Sequence, residues 1–331
     1  MEESLVSVIV INYNGQEHLK ECFDSLYNQN YENTELILID NDSKDNSVGF
    51  IKSNYDKVKV IQLNDNYGFA KGNNIAASKA KGNYIVFLNN DTYVDKNWLT
   101  ELVKIAKIEQ NIGIVASKIY YYNDKNLINY AGGSCDKYGK SHHIGENKKD
   151  HKLLNVAQRT FYACGASLLI KREIYKKISL FDPYYFMYCE DLDLCWRAWI
   201  FGYKVIYAPK SFIFHKIGHL TGNETPRKKF LGERNLLRTV LKNYEFKTLF
   251  QILPIYFGKR IGLTLKLFIH LDKNTIISLY SYIKAFFWNL FNLKSLIKNR
   301  KAVQLYRTKN DKYIFQIMEE SVKLEATLRN L

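Results

Sequence analysis

The chain has 331 residues, of which 47% are hydrophobic and 24% charged, with 25 tyrosines and only four prolines. These values are ordinary for a globular protein and exclude a proline-rich or disordered chain, and the length allows about two domains. The net charge of +15 is concentrated at one end, because 22 of the 48 Lys and Arg but only 8 of the 33 Asp and Glu follow His215. Such a basic segment can bind nucleic acid, an anionic membrane or an anionic substrate.

The cysteines and the first four residues indicate the cellular compartment in which we expect the protein. The five cysteines form no C-x-x-C pair, and their odd number suits neither a zinc site nor a disulfide framework. Residues 1–4 include two glutamates and no basic residue, so no signal peptide is predicted. We therefore expect a cytoplasmic protein.

The first ninety residues alternate apolar runs with amphipathic segments. Continuous apolar runs predict strands buried on both faces at residues 6–11, 35–39, 57–63 and 84–88. Apolar residues at helical spacing predict helices around 19–26, 45–51 and 69–79. Three strand–helix units before a fourth strand predict an α/β fold with a mostly parallel sheet and right-handed crossovers.

Each of these four strands ends in asparagine or aspartate. The residues are Asn12 and Asn14 after the first strand, Asp40 and Asp42 after the second, Asn66 after the third, and Asn89, Asn90 and Asp91 after the fourth. One such end is an ordinary turn, but the carboxyl ends of parallel strands lie at one edge of a sheet, where ligands bind in α/β folds. We therefore expect a single ligand-binding crevice, in which Asp91 and its neighbouring amides bind Mg²⁺ or Mn²⁺.

The first turn excludes two common phosphate-binding sites. It has neither a G-x-G-x-x-G fingerprint nor a G-x-x-x-x-G-K-[ST] loop. A nucleotide in this crevice would be held by side-chain carboxylates on its base and ribose and by a metal on its phosphates.

The middle third continues the α/β pattern and adds a long connection. Further elements are predicted as a helix at 98–108 and strands at 113–116, 161–170 and 204–208. Gly165 interrupts one of these strands and would let the backbone come close to a ligand. Residues 123–150 are polar and contain four glycines, which is typical of a lid or binding loop. His142 and His143 in this stretch are expected to be surface residues.

A second group of acidic residues begins the segment 187–199. Its leucine, cysteine and tryptophan residues fall on one helical face, which predicts a buried helix. Glu190 and Asp191 then lie at the helix N-terminus, where the helix dipole favours ionised carboxylates. A fixed carboxylate can take a proton from an incoming hydroxyl group, whereas Asp193 is expected to pair with Arg197 four residues later.

Four segments resemble the family 2 glycosyltransferases in sequence, order and spacing. They are VSVIVINYNG at 6–15, LIDNDS at 38–43, NYGFAKGNN at 66–74 and FLNNDT at 87–92. The resemblance is greatest to the rhamnosyltransferase-like branch, and it implies the GT-A fold, which binds nucleotide sugars. It implies a catalytic domain at 1–240, divided into a nucleotide-sugar-binding half at 1–116 and an acceptor half at 117–240, and a basic helical region at 241–331.

The resemblance also implies roles for residues near the donor. Asn12 and Asp40 would neighbour the nucleobase and ribose, and Asp91 would be the metal-binding acid of the D-x-D element. Asn89 stands where that element has its first acid, and a single carboxylate binds the cation more weakly. His215 would contact the metal or diphosphate, although a lone histidine after an aromatic strand is otherwise more often structural.

Glu190, Asp191 and Asp193 match the E-D-x-D element of the family. The resemblance makes Asp191 the catalytic base, with inversion at the anomeric carbon. The complete set of predicted site residues is Asp191 and Glu190 for catalysis, Asn12, Asn14, Asp40, Asp42, Asn66, Gly68, Lys71, Asn74, Asn90 and Arg234 for the donor, Asp91, Asn89 and His215 for the metal, and Gly165 and Asp193 for the acceptor.

The last ninety residues are aromatic, aliphatic and cationic. Residues 249–271 are long enough to span a bilayer, but three Lys and Arg interrupt them, so no spanning helix is predicted. Residues 276–297 carry one polar stripe and an apolar remainder. This helix would pack on the catalytic domain, pack on another subunit or lie in a membrane interface. The excess of positive charge favours peripheral contact with an anionic membrane.

Three functions follow from these features. The first is an inverting, metal-dependent glycosyltransferase that moves a sugar from dTDP-rhamnose or a UDP-hexose to a hydroxyl of a glycan or lipid-linked acceptor in cell-surface polysaccharide synthesis. The second is a nucleotidyltransferase, although no cation lies near the first strand to hold a triphosphate. The third is a non-catalytic nucleic-acid-binding protein, but its basic residues lie on apolar helices, which favours lipid over nucleic acid.

Overall fold

The computed structural model describes residues 3–216, 225–269 and 273–329. Its strands are β1 (Val6–Asn12), β2 (Thr34–Asp40), β3 (Val58–Gln62), β4 (Tyr84–Asn89), β5 (Thr92–Val94), β6 (Ile112–Tyr121), β7 (Leu127–Tyr130), β8 (Gly133–Cys135), β9 (Ser141–His143), β10 (Lys148–Lys149), β11 (Gln158–Arg159), β12 (Ser167–Lys171) and β13 (Lys204–His215). Its helices are α1 (Gln16–Tyr27), α2 (Ser47–Asn54), α3 (Gly68–Lys79), α4 (Trp98–Ala106), α5 (Arg172–Ile178), α6 (Glu190–Ile200), α7 (Pro226–Asn243), α8 (Phe246–Ile269), α9 (Lys273–Phe291), α10 (Leu293–Leu305) and α11 (Asp311–Arg329).

The first four strands form the parallel sheet that the sequence predicts. β1 lies between β2 and β4, and β2 pairs with β3, all in parallel. β12 runs antiparallel between β4 and β6, and β13 pairs in parallel with β6. The α/β fold class with a mostly parallel central sheet is therefore confirmed.

Burial explains why the central strands read as unbroken apolar runs. Val8, Ile9 and Val10 of β1 are fully buried, as are Phe87 and Leu88 of β4. Helices cover both faces of these strands, so no alternation of apolar and polar residues is required. The polar residues begin only where the strands reach the carboxyl edge of the sheet.

The segment 123–150 is not the single long loop that its composition suggests. It contains short antiparallel pairs, in which β7 joins β6 and β10 while β8 joins β9. Gly132, Gly139 and Gly145 adopt φ angles of +110°, +87° and +76° at the turns. Glycine adopts such angles without steric cost, so these residues mark tight turns rather than a flexible loop.

β13 is longer than the predicted strand at 204–208 and carries the chain to the carboxyl edge. Its register against β6 shifts after Ala208, and its last residues pair antiparallel with β5. His215 consequently lies opposite Thr92, directly after Asp91.

The basic region is helical, as predicted, and is closely joined to the sheet domain. The helix predicted at 276–297 is interrupted at Asn292, which separates α9 from α10. Thr308 donates a backbone hydrogen bond to Ile200 O at 3.0 Å, and the Tyr244 hydroxyl donates to Lys137 O at 2.7 Å. Within the three described ranges no helix is both long and apolar enough to cross a membrane.

Candidate active site

Asn12 is the centre of a hydrogen-bond network at the carboxyl edge of the sheet. Its side-chain nitrogen donates to Asp40 Oδ1 at 3.0 Å and to Ser43 Oγ at 3.1 Å. Its Oδ1 accepts a hydrogen bond from Asn90 Nδ2 at 2.6 Å. Ser43 Oγ in turn donates to Asp40 Oδ1 at 2.6 Å. Side-chain contacts therefore join the ends of β1, β2 and β4.

Asn14 and Asp42 lie on the outer side of this network. Both have left-handed backbones, with φ angles of 50° and 65°. Asn14 N donates to Ser43 Oγ at 2.9 Å, and Asn14 Oδ1 accepts from Lys44 N at 2.6 Å. Asp42 pairs with Lys44 Nζ at 2.7 Å. These contacts fix the two turns after β1 and β2 against each other.

The third strand end is tied to the first turn of α3. Asn66 Oδ1 accepts from Gly68 N at 2.9 Å, and Gly68 has a φ angle of +72°. Lys71 is exposed, and its Nζ lies 3.6 Å from the centroid of the Tyr67 ring. Its charge is therefore accessible to an anionic ligand at this edge.

Asp91, Asn89 and His215, the three predicted metal residues, lie together. Asp91 Oδ1 is 3.1 Å from His215 Nε2. Asn89 Nδ2 lies 3.4 Å from the same ring nitrogen. The pairing of β5 with the end of β13 produces this contact across 124 residues of sequence.

The donor set around Asp91 suits a divalent cation. Asp91 Oδ1 accepts no well-formed hydrogen bond and His215 Nδ1 makes none within the described part of the chain. Burial acts to raise the pKa of Asp91, but the neighbouring His215 outweighs it, so this pKa is lower than its ordinary value. An ionised carboxylate with an unsatisfied oxygen beside an imidazole and an amide fits a cation that prefers oxygen ligands.

The protein supplies only part of a coordination shell at this position. Among residues 3–216, 225–269 and 273–329, no group of three His, Cys, Asp or Glu side chains is arranged to hold a metal. A cation bound by Asp91, His215 and the Asn89 amide would therefore keep positions for water or phosphate oxygens, as Mg²⁺ commonly does.

Asp191 lies at the same edge of the sheet, in the first turn of α6. Its Oδ2 accepts from Gly165 N at 2.9 Å and its Oδ1 accepts from Leu192 N at 2.7 Å. The residue after Gly165 is Ala166, whose carbonyl oxygen accepts from Asn89 N at 3.1 Å. A short backbone connection therefore joins the carboxylate of Asp191 to the end of β4.

Glu190 and Asp191 are neighbouring carboxyl groups whose pKa values are both raised. Glu190 is buried, and its Oε2 has no hydrogen-bond partner among the described residues. Burial, followed by the charge of Asp191, raises the pKa of Glu190 well above its ordinary value. Burial also raises the pKa of Asp191, against the opposing effect of its two backbone N–H donors. We therefore expect a neutral Glu190 beside an ionised Asp191 that is more basic than an ordinary aspartate.

The loop that leads into α6 is conformationally strained. Phe186, Tyr188 and Cys189 have left-handed φ angles of 64°, 73° and 64°. Such angles are costly for residues other than glycine and occur most often at functional sites. Asn235 of α7 stabilises the loop, because its Nδ2 donates to three of the loop carbonyls at 2.7 to 3.0 Å.

Arg234, which the sequence predicts to contact the donor, is held by contacts within the protein. Its Nη2 donates to the carbonyl oxygens of Tyr184 and Tyr185 at 3.1 and 2.6 Å. The guanidinium is packed on Trp288, 4.4 Å from the ring centroid. Burial lowers the pKa of Arg234 to about 10. This side chain therefore supports the loop before α6 rather than a ligand.

Asp193 and Asn74 are also occupied by contacts within the protein. Asp193 is fully buried and accepts from Arg197 Nε and Lys242 Nζ, both at 2.9 Å. The predicted pair with Arg197 is thus confirmed, and the predicted acceptor contact is not possible from this position. Asn74 makes hydrogen bonds of 2.7 and 3.1 Å to the backbone of Phe181, which fix the orientation of its amide.

Two residues contribute to the site without having been predicted for it. Ser43 bridges the first two strand ends. His143 is close enough to Asp191 for each to shift the pKa of the other. The motif LIDNDS contains Ser43, whereas no periodicity or motif in the sequence indicates His143.

Comparison with known proteins agrees with this geometry. The family model described as Glycosyl transferase family 2 matches residues 7–179. The chain is 40% identical to an uncharacterized glycosyltransferase of Haemophilus influenzae over 71% of this chain and 88% of the relative. It is 26% identical to the rhamnosyltransferase WbbL of Escherichia coli over 65% of this chain and 84% of that protein. It spans only 28% of an uncharacterized Sinorhizobium fredii protein to which it is 27% identical.

Solved structures show the same fold. GalNAc-T7, crystallised with UDP, GalNAc and Mn²⁺, superposes with a TM-score of 0.60 at 22% identity, covering 72% of this chain and 48% of that one. Residues 1–349 of TarS from Staphylococcus aureus superpose with a TM-score of 0.57 at 18% identity, covering 96% and 91%. The predicted GT-A fold is therefore confirmed, and so is the predicted resemblance. With a family model that matches more than half of its length, the chain belongs to glycosyl transferase family 2.

Proposed function

We propose that this family 2 glycosyltransferase is an inverting enzyme in which Asp191 is the catalytic base. The observation that carries this proposal is the short connection between Asp191 and the metal residues, through Gly165 N, Ala166 O and Asn89 N. A base and a diphosphate-binding edge must lie close together if the attacking alcohol and the leaving group are to meet at one carbon. The raised pKa of Asp191 supports the same role.

The donor is a nucleoside-diphosphate sugar that lies along the carboxyl edge of the sheet. Asn12, Asp40 and Ser43 offer an amide, a carboxylate and a hydroxyl to the base and ribose. Asp91, Asn89 and His215 would hold Mg²⁺ or Mn²⁺ beside the diphosphate. When bound, such an ion neutralises charge on the departing diphosphate and so makes it a better leaving group.

The transfer is a single displacement at the anomeric carbon. The acceptor hydroxyl oxygen forms a bond to that carbon while the bond to the diphosphate oxygen breaks. The hydroxyl proton passes to Asp191, and the bonding electrons leave with the nucleoside diphosphate. Attack from the face opposite the leaving group inverts the configuration, so an α-linked donor gives a β-linked product.

We further propose dTDP-rhamnose or a UDP-hexose as the donor, with a hydroxyl of a glycan or lipid-linked acceptor in cell-surface polysaccharide synthesis. Similarity to the rhamnosyltransferase WbbL supports the first donor, and the UDP bound to GalNAc-T7 supports the second. The excess of positive charge after His215 supports a working position at the anionic inner face of the cell membrane.

A donor screen tests this function. The purified full chain is incubated with individual dTDP- and UDP-sugars and Mg²⁺, Mn²⁺ or EDTA, and release of the nucleoside diphosphate is measured. We expect slow hydrolysis of one donor class that requires either ion and stops in EDTA. The matched nucleoside triphosphates serve as a control, because a nucleotidyltransferase would release pyrophosphate from them. Absence of both turnover and calorimetric binding for every donor would overturn the proposal.

A further inference from the structure

Helix α9 is oriented with its polar side inward. The positions that face the protein are small or polar: Ser278, Ser281, Ala285 and Asn289 are all at most 5% exposed. The opposite side, which we call the outer face of α9, is apolar and between 47% and 83% exposed. It consists of Ile276, Tyr280, Ile283, Phe287, Leu290 and Phe291. A helix on the surface of a water-soluble domain has the reverse arrangement, with its apolar stripe toward the core.

The inward polar side is held by specific contacts. Asn289 Nδ2 donates to Arg234 O of α7 at 2.9 Å and to Ala285 O at 3.0 Å. Ser281 Oγ donates to Ile277 O at 2.7 Å. The bonds to Ala285 O and Ile277 O lie within α9, whereas the bond from Asn289 to Arg234 O joins α9 to α7. Rotation of α9 to bury its phenylalanines would break this interhelical bond.

The charge around the outer face has one sign. Residues 273–310 contain eight Lys and Arg and no Asp or Glu. Lys284, Lys294, Lys298 and Lys301 are exposed and alternate with the apolar residues of α9 and α10. A partner that covers this surface must therefore supply both hydrocarbon and negative charge.

We infer that the outer face of α9 inserts into the headgroup–acyl boundary of an anionic lipid bilayer. Aromatic and aliphatic side chains bury themselves at this depth while neighbouring lysines contact the headgroups. A second copy of the chain is a poorer partner, because a two-fold contact would place lysines against lysines with no acidic residue between them. The inference rests on the membrane contact proposed above but not on the sugar-transfer chemistry.

A largely apolar cavity of about 380 Å³ between α7, α8 and α9, whose lining also includes the Glu233–Arg260 ion pair, supports a lipid partner. Ile283 and Phe287 of the outer face line it, together with Tyr256 and Phe257 of α8. A hydrocarbon chain can enter such a space, whereas a flat protein surface cannot fill it.

The same contacts connect the outer face to catalysis. Asn289 donates to the backbone of Arg234, and the Arg234 guanidinium holds the carbonyls at the start of the loop that leads to Asp191. The helix that carries the outer face is therefore joined by these contacts to the loop that precedes Asp191.

Vesicle flotation tests the inference with the full chain. Wild-type protein is expected to float with vesicles of phosphatidylcholine and phosphatidylglycerol, less at high salt, and little with phosphatidylcholine alone. The double variant Phe287→Glu and Phe291→Glu is expected to lower the partition coefficient at least about tenfold. Ile108→Glu with Val156→Glu is the matched control, since it adds the same charge at two exposed apolar residues of the sheet domain.

A lysine variant and two further measurements complete the test. Lys294→Gln, Lys298→Gln and Lys301→Gln together are expected to weaken binding to anionic vesicles only. Donor hydrolysis in solution should be unchanged in all these variants, so that loss of membrane binding is distinguished from failure of the proposed chemistry. The inference is overturned if wild-type protein does not bind anionic vesicles, or if both Glu double variants bind equally. It is also overturned if light scattering shows a dimer that the Phe287 and Phe291 substitutions dissociate.

Discussion

Asp91 and Asp191 lie at the same edge of the sheet but in opposite electrostatic surroundings. Asp91 faces the imidazole of His215, and its pKa is lowered. Among the described residues Asp191 contacts no cationic side chain; it accepts two backbone N–H groups and has a raised pKa. The surroundings of Asp91 therefore favour the charged form that a cation ligand needs, whereas those of Asp191 favour uptake of a proton. These different surroundings suit two aspartates at one edge of the sheet to the two roles proposed above.

The largest expected effect comes from removing the base. Asp191→Asn should lower transfer by about a thousandfold, because general base catalysis contributes on this scale, while donor affinity stays the same. Glu190→Gln is the matched control, since a neutral amide resembles the protonated acid that burial favours at this position. It should retain most of the activity. Equal inactivity of the two variants, measured as initial rates of sugar transfer, would show that the assignment of roles within this pair is wrong.

A smaller effect is expected at the other aspartate. Asp91→Ala should weaken metal-dependent donor binding by about ten- to a hundredfold, because it removes the only carboxylate of the trio. Calorimetric titration of the donor, with and without Mn²⁺, measures this change. Asp56→Ala is a matched control, since that exposed carboxylate precedes β3 and so lies at the opposite edge of the sheet. Identical donor affinities of wild type and Asp91→Ala in Mn²⁺ would contradict the metal role.

The smallest expected effect is a displacement of the pH profile. Protonated Asp191 cannot act as a base, so kcat/KM should fall as the pH falls through its pKa, which lies above the ordinary value near 3.8. His143 opposes that shift when it is protonated. His143→Leu should therefore move the acidic limb to higher pH, by less than about one unit. A limb that stays in place or moves to lower pH would show that His143 does not act on the base.

The strands and their ends could be predicted because the signals for them lie within short segments of the sequence. Unbroken apolar runs located β1 and β4 to within one or two residues, because strands covered on both faces need no alternation. The strand-end residues Asn12, Asp40 and Asn90 were expected at one edge because parallel strands finish together, and their side chains do touch.

The contacts of polar side chains near the site, and the face of α9 that is buried, depend on tertiary packing and could not be predicted from the sequence. Arg234 and Asn74 are polar residues near the site, but buried backbone groups of the loops before α6 take up their hydrogen bonds. Asn235 likewise donates hydrogen bonds to carbonyl groups of the loop before α6. The spacing of residues 276–297 predicts a helix with one polar and one apolar face. Only the packing of α9 on α7 shows that the polar face is the buried one.

The direction of β12 has a chemical consequence at the site. In a sheet whose strands all ran the same way, every strand would present its last carbonyl groups to the ligand edge. Because β12 is reversed between β4 and β6, it arrives there with its first residues instead. The backbone just before β12 therefore provides a hydrogen-bond donor, Gly165 N, which binds the carboxylate of Asp191. Reversing one strand thus lets a main-chain N–H group, rather than a positive side chain, orient the carboxylate that we propose as the general base.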